Sequence, residues 1–177
     1  MLSILNECGV EYMVVGSFAA MQHGHIRTTH DMDLVAVLSP KNVEDIARVL
    51  GDEFYLDLES AKEAIERRDM FNAIHFESGV KIDFWILKDD DFARTQFSRR
   101  LRIDFEGIEA CVESAEDTIL SKLLWYLISP SERQLSDVQG ILQRQDERLD
   151  WDYLRDWASR KGVDDLLKSL SSEQITE

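Results

Sequence analysis

The chain has 177 residues, of which 44% are hydrophobic and 31% are charged, and its 35 acidic and 20 basic side chains give a formal net charge of −15. This length is typical of one globular domain, and the composition excludes collagen-like, disordered and disulfide-stabilised proteins. The uninterrupted apolar stretches are much shorter than the roughly 20 residues of a membrane-spanning helix. The N-terminus also lacks the pattern of a secretory signal, so we expect a cytoplasmic protein with no membrane partner.

The excess of acidic side chains weighs against nucleic acid as a partner, because proteins that bind phosphate backbones usually carry a basic surface. It is compatible with the binding of divalent cations. Cys8 and Cys111 lie far apart and lack the paired spacing of a zinc site or a redox dithiol, so we expect two free thiols.

Alternating strands and helices are predicted in the first two thirds of the chain, and helices in the last third. The predicted elements are, in order, a helix at 2–7, a strand at 10–15, a helix at 18–24 with Ser17 as N-cap, a strand from Asp31, helices at 40–50 and 59–68, hairpins with turns at 77–79 and 106–107, and helices at 114–129, 132–143, 151–160 and 163–170. The segment DMDLVAVL has apolar residues on both faces, which predicts a central strand covered on both sides. The fold class is therefore α/β, or α+β, with a mixed sheet and flanking helices. We expect a core at 1–113 and a helical segment at 114–177 packed on it.

Three acidic side chains stand where strands are predicted. Asp31 and Asp33 are two residues apart, so their carboxylates project from the same face of the strand. Two such charges repel each other unless a cation lies between them, and a divalent metal is the natural counterion. Asp83 interrupts a second apolar strand, VKIDFWI. Three carboxylates of this kind could bind one or two Mg²⁺ (or Mn²⁺) ions, as in phosphoryl transfer.

Gly16 and Ser17 end the first strand and begin a helix. Such a turn presents free backbone N–H groups at the positive end of the helix dipole, which together form an anion site. Glycine would let a phosphate approach the main chain closely, and the serine hydroxyl can donate a hydrogen bond to it. The three carboxylates and the Gly-Ser turn together predict a bound nucleoside triphosphate with metal.

This order of motifs, a hydrophobic strand, Gly-Ser, thirteen residues, Asp-hydrophobic-Asp and a distal Asp, resembles the nucleotidyltransferase superfamily of DNA polymerase β type. The chain is most similar to small prokaryotic members related to abortive-infection and toxin–antitoxin nucleotidyltransferases. The similarity extends over VEYMVVGSFAAMQHGHIRTTHDMDLV, with Arg27 and Thr29, and over AEDTILSKLLWY and ERQLSDVQGIL, with Lys122 and Asp137. It covers about residues 1–143.

The resemblance implies transfer of a nucleoside monophosphate from an NTP to an acceptor, with release of pyrophosphate. The residues to which it assigns a role are Asp31, Asp33 and Asp83 as metal ligands and catalytic residues, and Gly16, Ser17, Arg27 and Lys122 as nucleotide-binding residues. Asp83 would also help to deprotonate the acceptor. The acceptor, which could be a protein, an RNA 3′ end or a small-molecule hydroxyl, stays open.

Other interpretations of these residues stay open as well. A non-catalytic protein could keep this fold as a binding partner in a toxin–antitoxin or defence pair. A metal-dependent glycosyltransferase would also use an Asp-x-Asp pair, but it would normally need a longer chain. Ser17 could serve only as a helix cap. His23, His25 and His30 suggest zinc, yet their spacing matches no strong zinc motif.

Overall fold

The computed structural model describes residues 1–24, 29 and 31–172, which form two compact units. The first unit comprises Met1–Val15 and Thr29–Glu113, and the second comprises Gly16–Thr28 and Ser114–Glu177. The division of the chain at 113/114 stays a prediction, and in the structure the described part of segment 16–28 groups with the C-terminal helices. Across the described residues, none of the helices combines the length and apolarity needed to cross a bilayer.

The first unit is built on a mixed sheet. Its strands are β1 (Glu11–Val15), β2 (Asp31–Val37), β3 (Phe54–Leu56), β4 (Met70–His75), β5 (Lys81–Ile86), β6 (Leu101–Phe105) and β7 (Ile108–Val112). Numbered in chain order over the whole protein, its helices are α1 (Leu2–Glu7), α3 (Pro40–Leu50), α4 (Leu58–Arg67) and α5 (Asp91–Ser98). The described strands lie in the order β3-β4-β5-β2-β1-β7-β6, so β2 is central, as predicted.

One face of the central strands is buried and the other is partly open. On β2, Leu34 and Ala36 are fully buried, and on β5 the same face presents Ile82, Phe84 and Ile86, all buried. The opposite face of β2 runs from exposed Asp31 to Val37, which is 46% exposed. The prediction that both faces are covered is therefore wrong. Apolar residues are common on protein surfaces, so their presence on both faces of a strand does not fix two-sided burial.

Both predicted hairpins are confirmed. Strands β4 and β5 pair in antiparallel fashion, as do β6 and β7. In the second turn Glu106 and Gly107 have φ values of 52° and 83°, the left-handed backbone that tight hairpin turns require. The sequence analysis missed the three-residue edge strand β3, which pairs with β4.

The second unit is helical. It contains α2 (Gly16–Gln22), α6 (Ala115–Ile128), α7 (Glu132–Gln145), α8 (Trp151–Lys161) and α9 (Asp164–Ser172). Ser114 caps α6 as predicted: its hydroxyl accepts from the Asp117 backbone N–H and donates to Asp117 Oδ2, at 2.9 Å. The Tyr153 hydroxyl donates to Asp117 Oδ1 at 2.6 Å, which links α8 to the start of α6. Both oxygens of the Asp117 carboxylate, at the buried start of α6, thus accept hydrogen bonds from within the unit.

Candidate functional site

Four charged residues lie on the open face of the central strands. Strands β2 and β5 are parallel, with Asp33 opposite Asp83 and Asp31 opposite Lys81. Opposed positions on neighbouring strands, about 4.8 Å apart, share a face of the sheet, and so do positions two residues apart along one strand. The fold therefore brings the three predicted carboxylates together on one face and adds an ammonium to them. We call these four residues the acidic face.

The three carboxylates of the acidic face differ in their burial. Asp31 is exposed, Asp33 is half-buried, and Asp83 is only 8% exposed. Asp83 Oδ2 lies 2.9 Å from Lys81 Nζ. Asp83 Oδ1 is buried and accepts no hydrogen bond from any described residue. A buried carboxylate oxygen without a donor is costly, so this atom indicates a ligand that the protein alone does not supply.

Lys81 is a member of the acidic face that the sequence analysis missed. The hydrogen bond to Asp83 raises the pKa of the Lys81 ammonium above its ordinary value, and the charges of Asp83, Asp31 and Asp33 raise it further against the opposing effect of burial. The ammonium is therefore in the field of all three carboxylates. The available signal was its position two residues before Asp83 in KIDFWI.

Asn72 is a second residue that the sequence analysis missed. It is the register partner of Asp83 on β4, so it occupies the same face beside that carboxylate, and it is half-buried. In the sequence, the indication was a polar residue between two apolar ones, Phe71 and Ala73, which the structure buries. A carboxamide there adds an oxygen and an N–H donor to the carboxylates.

The acidic face fits a magnesium ion that is completed by substrate. Among residues 1–24, 29 and 31–172, no three or more His, Cys, Asp or Glu side chains are arranged to hold a metal ion. Mg²⁺ in phosphoryl-transfer sites is usually bound by one or two carboxylates, with water and substrate phosphate oxygens as the other ligands. Asp33 and the unpartnered oxygen of Asp83 are hard oxygen ligands on neighbouring strands, which is the donor set such an ion needs.

The Gly-Ser motif lies at the start of α2 in the second unit. Gly16 has φ of 67°, and α2 begins at this residue, directly after β1. Ser17 is buried in the first turn. The prediction that Ser17 is the N-cap is therefore wrong, because glycine adopts left-handed backbone without strain and lets the chain turn one residue earlier. Val15, the residue before Gly16, pairs with Asp33 across β1 and β2. Phosphate binding by Gly16 and Ser17 stays a prediction.

Of the remaining predicted nucleotide-binding residues, Lys122 lies in the second unit and Arg27 lies outside the described residues. Lys122 on α6 is 6% exposed, and its Nζ lies 2.6 Å from Asp137 Oδ2 on α7. A phosphate role for Lys122 stays a prediction, and the structure gives its ammonium a buried partner. Arg27, His25 and His30 lie outside the described residues.

No family model matches the chain, and no curated protein matches it at a significant level. Solved structures do match. The solution structure of the antibiotic-resistance factor ANT(2'')-Ia has a TM-score of 0.56 at 12% identity, covering 98% of this chain and 90% of that chain. The crystal structure of ANT(2")-Ia in complex with adenylyl-2"-tobramycin has a TM-score of 0.59 at 13% identity, covering 90% of this chain and 91% of that chain.

Two further solved structures also match the chain. The lincosamide antibiotic adenylyltransferase LnuA, bound to lincomycin, has a TM-score of 0.50 at 13% identity, covering 79% of this chain and 90% of that chain. An antigenic nucleotidyltransferase-like protein from Paracoccidioides brasiliensis has a TM-score of 0.51 at 14% identity, covering 96% of this chain and 88% of that chain. At such identities the similarity is one of fold. The chain therefore has the nucleotidyltransferase fold, as the resemblance in its sequence implies.

Proposed function

We propose that this protein is a nucleotidyltransferase that uses Mg²⁺ or Mn²⁺ to transfer a nucleoside monophosphate from an NTP to an acceptor, with release of pyrophosphate. One observation carries the proposal: Asp33 and Asp83 are register partners on parallel strands, and the buried Oδ1 of Asp83 has no donor among the described residues. In a chain with the nucleotidyltransferase fold, a carboxylate oxygen of this kind is the natural ligand for a divalent ion.

The acidic face and the Gly-Ser turn have separate roles in this proposal. Asp33 and Asp83 would hold the divalent ion, which would stabilise the charge that develops on the phosphate oxygens, and Asp31 as a third ligand stays a prediction. Gly16 and Ser17 bind the β- and γ-phosphates through backbone N–H groups and the serine hydroxyl. Their position in the chain supports this role, because they directly follow Val15, the register partner of Asp33 on β1.

The reaction then needs an in-line attack on the α-phosphorus. The acceptor oxygen forms a bond to that phosphorus, the bond from the α-phosphorus to the oxygen bridging to the β-phosphate breaks, and pyrophosphate leaves. Asp83 helps to take the proton that the acceptor oxygen loses, because a carboxylate held beside that oxygen can act as a general base. Positioning and charge stabilisation supply most of the rate increase in such reactions.

Small-molecule hydroxyls are the first acceptor class to test. The structural neighbours include a lincosamide antibiotic adenylyltransferase bound to lincomycin and ANT(2")-Ia in complex with adenylyl-2"-tobramycin. A formal net charge of −15 makes long RNA the less favoured acceptor. Protein side chains are the remaining class.

The test is transfer of label from α-³²P-labelled ATP, GTP, CTP and UTP, each with Mg²⁺, Mn²⁺ or EDTA. The acceptors are a panel of aminoglycosides and lincosamides, an RNA mixture and the protein itself. We expect metal-dependent labelling of one acceptor class, and a metal-dependent rise in melting temperature with NTP. At about 100 times its Kd, a ligand adds about 2.7 kcal/mol of stability. Absence of both effects would contradict the proposal.

A second candidate is the non-catalytic partner protein of a toxin–antitoxin or defence pair. One observation favours it: near the end of α6, Trp125, Leu127 and Ile128 are 44%, 56% and 74% exposed. Neighbouring exposed apolar side chains are typical of protein-binding surfaces. This candidate predicts no NTP effect on stability and no labelling of any acceptor.

A further inference from the structure

The acidic face contains three carboxylates and one ammonium, so its formal net charge is −2. We propose that Lys81 is a positioning residue that holds Asp83 in the metal-free protein and competes with the divalent ion for the same carboxylate. This inference rests on the proposed function, because it assigns the metal to the acidic face.

The geometry of the pair supports competition. Lys81 Nζ lies 2.9 Å from Asp83 Oδ2, and both residues project from the same face of β5. The Asp83 side chain is 11% exposed, whereas that of Lys81 is 37% exposed. A lysine stem has four flexible carbons, so the ammonium can move into solvent while the short carboxylate stays fixed on its strand.

The charges around Lys81 point the same way. Asp83 accepts a hydrogen bond from its ammonium, and Asp31 and Asp33 lie on the same face of the sheet. The Lys81 ammonium thus lies among the groups that would attract a divalent ion. Two like charges at one carboxylate repel each other, so each weakens the binding of the other.

A purely structural ion pair accounts less well for the same carboxylate. A buried ion pair is favourable only where the remaining lone pairs are satisfied. Lys81 satisfies one oxygen of Asp83, and the other oxygen has no donor in the described part of the chain. Only one of the two Asp83 oxygens therefore has a partner in the described part of the chain. This is the state expected of a site that exchanges an ammonium for a metal ion.

The test is the Mn²⁺ affinity of the full chain without nucleotide, measured by titration calorimetry and by electron paramagnetic resonance of free Mn²⁺. The variant is Lys81→Met, and the matched control is Lys62→Met. Lys62 lies in the same unit, is 32% exposed and pairs with Glu44 at 3.0 Å. Both variants change the net charge equally. We expect Lys81→Met to lower the Kd for Mn²⁺ at least about tenfold, and Lys62→Met to change it by less than about twofold.

Stability without metal gives a second readout. In EDTA, Lys81→Met should melt at a lower temperature than wild type, because it leaves Asp83 buried without a counterion beside Asp33. Saturating Mn²⁺ should raise its melting temperature more than that of wild type. Lys81→Arg keeps the positive charge and should keep the Mn²⁺ affinity within about threefold of wild type.

The outcomes separate the two proposals. Equal Mn²⁺ affinity in wild type and Lys81→Met overturns the role of Lys81 and leaves the proposed function in place. Absence of Mn²⁺ binding in both proteins overturns the role of Lys81 and leaves the proposed function to the labelling test, because substrate phosphate oxygens complete the ligands of the ion. If Lys81→Met does not fold, Lys81→Gln must bind Mn²⁺ more tightly than Lys81→Arg, and equal affinities would overturn the inference.

Discussion

Lys122 Nζ lies 2.6 Å from Asp137 Oδ2, and the two side chains are exposed by only 7% and 1%. The pair joins α6 to α7 in the interior of the helical unit. The family resemblance points to nucleotide binding for Lys122, whereas this contact points to packing of the two helices. The two roles predict different results on substitution.

We expect Lys122→Met to lower the free energy of unfolding by about 3–5 kcal/mol, because it leaves the Asp137 carboxylate buried without its cation. Urea unfolding followed by circular dichroism measures the loss. The double variant Lys122→Met, Asp137→Leu should recover most of it, because an apolar pair can replace a buried ion pair. Wild-type stability with weakened NTP binding would instead support the phosphate role.

Asp33→Asn should lower kcat for nucleotide transfer by about 10³ or more, because several kcal/mol of charge stabilisation at phosphorus depend on the metal ligands. The metal-free variant should be at least as stable as wild type, since it removes one of the like charges on the acidic face. Labelled transfer and thermal unfolding in EDTA check the two parts. Asp45→Asn, on the surface of α3, is the control and should keep full activity. A marked loss of stability in Asp33→Asn would contradict the metal assignment.

Asp57 caps α4 by accepting hydrogen bonds from the backbone N–H groups of Glu59 and Ser60, at 3.0 Å each. The bond from Ser60 is the largest cause that holds the pKa of Asp57 below its usual value. A lowered carboxyl pKa adds stability above the unfolded-state value of 3.8, and this stability is lost as the pH falls through the lower folded-state value.

Asp57→Asn should therefore flatten the dependence of the melting temperature on pH below about pH 4, because Asn keeps the cap but does not titrate. Asp57→Ala, which removes the cap as well, should melt at a lower temperature than Asp57→Asn at neutral pH. Melting curves between pH 2 and 7 test both variants. An unchanged acid slope in Asp57→Asn would show that the cap does not titrate with folding.

Gly24 has φ of 122°, and a Cβ at this position would come within 2.3 Å of Arg144 Cδ. Gly24→Ala should cost about 1–3 kcal/mol, because other residues rarely adopt this backbone and the arginine stem must also move. In Gly24→Ala, Arg144→Ala the closest contact, with Arg144 Cδ, is removed and only the 3.0 Å contact with Cβ is left, so most of the remaining loss comes from the backbone. A Gly24→Ala variant as stable as wild type would contradict the cost assigned to a Cβ at this position.

The sequence predicted those elements whose signals are local. The hairpin turns follow from glycine and its neighbours, and Ser114 marks the start of α6 by the chemistry of its cap. The edge strand β3 has three residues and no alternation long enough to identify it. The N-cap at Ser17 was wrong because both Gly16 and Ser17 can begin a helix, and only the backbone distinguishes them.

The site was predicted as far as periodicity along one strand allows. A period of two places Asp31 and Asp33 on one face, but it does not determine which strand lies beside them. Lys81 joins the acidic face, and Asn72 comes to lie beside it, only through the register of β5 with β2 and β4, which is a property of the whole sheet. The partner of Lys122 was missed for the same reason, since it lies on another helix.

The register between Asp33 and Asp83 also has a kinetic consequence. The two residues are fifty positions apart in the chain, with α3, β3, α4 and β4 between them in sequence, and they meet only when β2 and β5 pair. Contacts at such sequence separation form late in folding, after the entropy of closing the long loop has been lost. A divalent ion held by this pair should therefore slow unfolding while leaving the folding rate almost unchanged, so it would prolong the lifetime of the native state.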